Sequence, residues 1–141
     1  MARGMGVSAL PPMASMPVMH PSNSSTSSFG SSFARGIARG LGVTSFVSSP
    51  TFTIVNEYEG GRIRMFHFDT YRLADEDDFI NAGLDEYFGS GVCVIEWSDV
   101  ISGVLPGGTV RMRITGSGEE RIFEADDEAK AAAEEAGCEI L

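Results

Sequence analysis

From residue 30 onward the apolar positions fall into short periods. Phe33, Ile37 and Leu41 recur every four residues with Ala34 and Ala38 beside them, the stripe of an amphipathic helix with Arg35 and Arg39 on its wet side. Ser31 or Ser32 can cap its first turn, and Gly42 suits a left-handed stop. Residues 51–58 are rich in β-branched and aromatic side chains, residues 63–68 alternate around Met65, and Glu59-Gly60-Gly61-Arg62 lies between them. That pattern predicts a hairpin. Asp75-Glu76-Asp77-Asp78 opens a helix with apolar Phe79 and Ile80, its acids at the positive end of the dipole. Gly83 breaks it, and Leu84, Tyr87 and Phe88 continue a second short helix. Residues 92–95, Val-Cys-Val-Ile, form an unbroken apolar run ending on Glu96-Trp97. Such a run predicts a central parallel strand covered on both faces. Residues 110–114 and 121–125 read as a terminal hairpin around Gly116-Ser117-Gly118, and residues 126–136 as an acidic helix or tail.

The first 29 residues break this pattern. Residues 1–32 hold five of the seven methionines, four of the six prolines and nine serines, with no apolar period for helix or strand. The segment 1–29 therefore reads as disordered or aberrant, followed by an α/β domain over 30–125 and the acidic segment 126–141. The first segment lacks the amphipathic helix or clean apolar core of a targeting peptide.

Charge sharpens the division. Residues 1–56 carry three arginines and no acid, whereas residues 57–141 hold all 20 acids, and the chain's net charge is −10. An acidic chain argues against electrostatic, sequence-specific nucleic-acid binding. No apolar run approaches the ~18–20 residues of a membrane span. Two cysteines, Cys93 and Cys138, without a CxxC motif give neither a zinc ribbon nor a disulfide framework, so a cytoplasmic protein is expected.

Three places can carry chemistry. Glu96 ends a buried parallel strand, where open α/β sheets bind ligands; an acid there is also a common solvated loop residue. His67-Phe68-Asp69-Thr70-Tyr71-Arg72 runs off the hairpin's second strand. It could position a water, metal or phosphate, or it could be an Asp69–Arg72 ion pair closing a loop with His67 satisfied by a carbonyl. Ser49-Pro50-Thr51 offers a hydroxyl on a proline-stiffened turn, or a plain strand entry. Trp97 reads equally as a partly buried core aromatic.

In combination, "TSFVSSPTFTIVNEYEGG", "HFDTYRL", "GLDEYF" and "GVCVIEWSD" closely resemble the TsaE family, over about residues 31–125. Members are needed to make threonylcarbamoyladenosine on tRNA. The resemblance implies a P-loop NTPase-like α/β sheet with flanking helices, binding of ATP with Mg2+, and work alongside TsaB and TsaD. It implies that Glu96 and Asp69 are catalytic, with Glu96 on the Walker-B-like strand near the metal. Thr51 falls in a nucleotide-sensing switch, Trp97 at the same edge, Ser31 at the magnesium-ligating position, and Ser32 beside it among the nucleotide contacts.

One departure stands out. The family's G-x-x-x-x-G-K-[ST] loop is matched here by residues 24–31, Ser-Ser-Thr-Ser-Ser-Phe-Gly-Ser, with Gly30 in the lysine's place; the sole lysine of the chain is Lys130. That loop needs glycines to wrap phosphates with backbone N–H groups and a lysine to neutralise the β/γ oxygens. The expectation is a sheet whose first strand and phosphate loop are degenerate or absent, leaving the strand at 92–95 with an open edge. Function is then a TsaE-like component defective in ATP hydrolysis, or alternatively a non-catalytic remnant docking on a TsaD-like partner.

Overall fold

The computed structural model describes residues 15–21, 27–50, 52–117 and 120–135. Elements follow in the order β1 (Ser15–Pro21), α1 (Ser27–Leu41), β2 (Val55–Tyr58), β3 (Met65–Asp69), α2 (Glu76–Asn81), β4 (Val92–Glu96), β5 (Arg111–Ser117), β6 (Glu120–Ala125) and α3 (Asp127–Glu135), with single 3-10 turns at Leu84–Tyr87 and Ser98–Ile101. One sheet of six strands runs β2-β3-β4-β1-β5-β6. Its four inner strands are mutually parallel, and β2 and β6 close the edges antiparallel to β3 and β5.

Two layers cover the sheet. On one face α1 packs Ala34, Ile37, Ala38 and Leu41 against Met65, Val92 and Val94. On the other, Phe66, Phe68, Cys93 and Ile95 meet Phe79, Leu84 and Ile101 from the helical segments after β3 and β4. The predicted α1 stripe therefore exists, Phe79 of α2 is buried while Ile80 is exposed, and β4 is buried along its whole length. α1 stops at Gly42 with φ +85, and Asp75 caps α2 by accepting from the Asp78 N–H at 3.0 Å. The first hairpin is shorter than its composition suggests. β2 begins only at Val55, because Ile54 holds φ 67, a conformation a β-branched residue enters at a cost and which no strand continues through.

A first strand is present where the sequence offers none. Ser15–Pro21 forms β1 in the middle of the sheet, parallel to β4 on one side and β5 on the other. The open edge expected at β4 is therefore closed. Two prolines in seven residues hide this strand, since proline gives no N–H to a ladder and is normally confined to edges and bulges. The register with β4 shifts between Met16 and Val18, that is, at Pro17, so the missing donor falls at an irregularity. The strand is degenerate in sequence and complete in topology. α1 likewise starts at Ser27, four residues ahead of the predicted cap.

Candidate functional site

β1, β3 and β4 end together at Pro21, Asp69 and Glu96. Asp69 and Glu96 are directly paired across the β3–β4 ladder, and Glu96 is flanked on its other side by Met19 of β1. Strand alternation puts residues 65, 67 and 69 of β3 and 92, 94 and 96 of β4 on the face covered by α1. β1 is followed in the chain by α1, which packs on this same face, the strand-then-helix order with which α/β sheets bind phosphate groups.

Glu96 is no solvated loop acid. It is 1% exposed, and its Oε1 lies 2.6 Å from Nε2 of His67, which is wholly buried. A carboxylate oxygen accepts, so with Glu96 in that form the tautomer bearing its proton on Nε2 donates across this contact. Glu96 Oε2, His67 Nδ1 and Ser98 Oγ are buried without a hydrogen-bond partner among the described residues. Thr70 secures the backbone beside them: its hydroxyl is 2.8 Å from the carbonyl oxygens of both Glu96 and Trp97, and its N–H donates to Glu96 O at 3.2 Å. Asp69 is half-buried, its N–H donating to Ile54 O at 2.8 Å and its Oδ1 accepting from the Tyr71 N–H at 3.1 Å.

The loop-closing alternative for Asp69 is therefore not what forms. Arg72 lies 5.3 Å over the Phe52 ring instead, and His67 takes a carboxylate rather than a carbonyl. Trp97 is half-buried, holds φ 61, and sits 4.8 Å from the Tyr71 ring. Among the described residues the non-glycine positions with positive φ are Ile54 and Trp97, which flank the Asp69–Glu96 pair, and strain of this kind gathers at functional sites.

Other expected site residues are less completely defined. Thr51 and residues 22–26 lie outside the described residues. Ser31 and Ser32 lie on the second turn of α1, with side chains outside the description. Arg35 donates from Nε to Val47 O at 2.9 Å and covers Phe46 at 5.2 Å, so it is held away from a lysine's task. Among the described residues no three His, Cys, Asp or Glu side chains converge as a metal cluster. Two contributors were missed from sequence, His67 as partner of Glu96 and Thr70 as clamp. Alternation puts His67 on the same face of its strand as Asp69, but only the β3–β4 register sets that face beside Glu96; nothing local points to Thr70.

Comparison with known proteins agrees with this architecture. The family model for "Threonylcarbamoyl adenosine biosynthesis protein TsaE" matches residues 30–123. A Bacillus subtilis relative named as a tRNA threonylcarbamoyladenosine biosynthesis protein TsaE is 45% identical over 89 residues, 62% of this chain and 55% of its own length. A Treponema pallidum protein of the same name is 42% identical over 93 residues, 64% of this chain and 68% of its own. The crystal structure of Bacillus YdiB superposes with a TM-score of 0.62 at 29% identity, covering 88% of this chain and 77% of that one. The matched stretch thus spans about half of the first relative, and from the helix after β1 to the final strand this chain belongs to the TsaE family.

Proposed function

We propose that this protein acts in forming threonylcarbamoyladenosine on tRNA, as an ATP-binding partner of a TsaB–TsaD pair with weakened nucleotide turnover. The observation that carries the reading is the buried carboxylate of Glu96 at the carboxyl end of β4, paired across the ladder with Asp69. Mg2+ takes oxygen ligands and usually keeps one or two carboxylates, several waters and the substrate phosphates. Glu96 Oε2, buried with no partner among the described residues, fits that donor set without a third carboxylate, and Ser31 would add a hydroxyl. A bound Mg2+–ATP would supply the charge-neutralised phosphates on which hydrolysis depends. The chain's own part is to hold Glu96 out of bulk water, to keep Asp69 next to it, and to hold the Trp97 turn rigid through Thr70.

Gly30 in the lysine's place weakens this site, because each lost charge-assisted hydrogen bond is worth about 1.5–3 kcal/mol. Calorimetry with Mg2+–ATP should therefore show binding far weaker in the parent than in Gly30→Lys, which should tighten it roughly tenfold. Co-purification with TsaB and TsaD tests the partner half of the reading. Retention on TsaD with no gain of ATP binding in Gly30→Lys would favour the non-catalytic docking remnant. Failure of both would end the assignment.

A further inference from the structure

We propose that His67 is a positioning residue for Glu96: it occupies Oε1, fixes the rotamer, and leaves Oε2 as the single oxygen the carboxylate presents to the site. This rests on the nucleotide reading given above and assigns that site's geometry to a residue outside it. The pairing is diagonal. On the ladder His67 stands opposite Val94 and Asp69 opposite Glu96, so the imidazole is one step further from the carboxyl edge and reaches up to the carboxylate from below. The contact is short at 2.6 Å, and the two side chains are 0% and 1% exposed, so water does not compete for Oε1. Asp69 does not compete either, since its carboxylate turns to the Tyr71 N–H. Thr70 fixes the Glu96 backbone through its carbonyl. With main chain and one oxygen both held, the carboxylate has no rotation left. His67 is wholly buried and acts through Glu96.

Two measurements on the full chain test this. In proton NMR the parent should show a far-downfield imidazole N–H resonance, lost in His67→Gln and moved upfield in Glu96→Gln; a parent without it overturns the proposal. Turnover of Mg2+–ATP, measured per folded molecule in the parent and again with Gly30→Lys added for signal, should fall in His67→Leu by roughly 10–100-fold. KM should stay unchanged, and His67→Gln, whose amide can donate to Oε1, should recover most of the loss. Equal turnover in His67→Leu and His67→Gln would mean that His67 serves folding alone, and the proposal would fall. If neither background turns over ATP, the nucleotide reading fails, and the downfield resonance alone then decides whether His67 holds Glu96.

Discussion

The two faces of the β3–β4 pair are built from the same ten residues and differ in kind. The face away from α1 is aromatic: Phe68 meets Tyr87 edge-on at 5.7 Å, Phe66 meets Tyr87 at 4.9 Å, and Phe79 stacks on Phe88 at 5.5 Å. The face under α1 is aliphatic near the amino ends of the strands, with Met65, Val92 and Val94. Toward their carboxyl ends it becomes polar, with His67 and Glu96 buried in contact. A strand's period of two lets one short segment serve both purposes. Hydrocarbon on one side supplies the burial that holds the strands in place, and so permits two ionisable groups to be buried on the other.

If that division is right, the largest loss of stability should come from the aromatic face. Phe68→Ala should cost about 4 kcal/mol, because a wholly buried ring leaves both its transfer energy and a cavity. Denaturant unfolding measures it, and the downfield His67 proton should persist in whatever fraction stays folded. Loss of that proton in the folded fraction would show that the two faces are not separable.

On the polar face, His67→Leu strands a buried carboxylate and should cost about 3 kcal/mol. Replacing both partners, His67→Leu with Glu96→Leu, should recover most of this, since a buried ion pair is often matched by apolar side chains of similar volume. A double variant as unstable as the single one would mean that the pair holds up the fold itself.

Cys93 sharpens the aromatic side by pH. Burial pushes its thiol up to about 12 from an ordinary value near 9. The folded chain then holds a proton that the unfolded chain releases, so stability is fully present below about pH 9 and falls as pH rises toward 12. A loss on the order of 2 kcal/mol by roughly pH 10.5 is expected, read as a falling urea midpoint that Cys93→Ala flattens. An alkaline decline of equal slope in that variant would place its source elsewhere. The smallest effect belongs to neither face: Phe52 is 86% exposed, and Phe52→Ser should change stability by no more than about 0.5 kcal/mol.

These contrasts also mark how far the sequence could be read. The helix stripe Phe33–Ile37–Leu41, the hairpin turn at Gly60-Gly61, the acidic helix start at residues 75–78 and the unbroken run at 92–95 each carry their signal within a few residues, and each became the expected element. β1 does not. Its strand character comes from two parallel neighbours supplied by residues 92–96 and 111–114, and its own prolines argue against it. The site divides in the same way. Glu96 at a strand end and Asp69 in "HFDTYRL" were visible as candidates, while their relation was not.

By itself the sequence determined which segments bury which face, through apolar periodicity. Only the tertiary structure decided that Ser15–Pro21 completes the sheet, that His67 spends its N–H on Glu96 rather than on a carbonyl, and that Thr70 ties down the turn at Trp97. The reason is range. Periods and caps are set by neighbours one to four residues away, whereas the buried contacts of Glu96 with His67 and Thr70 join residues 26 to 29 apart, and the β1 ladders with β4 and β5 span far longer stretches of chain; both exist only once the strands lie side by side.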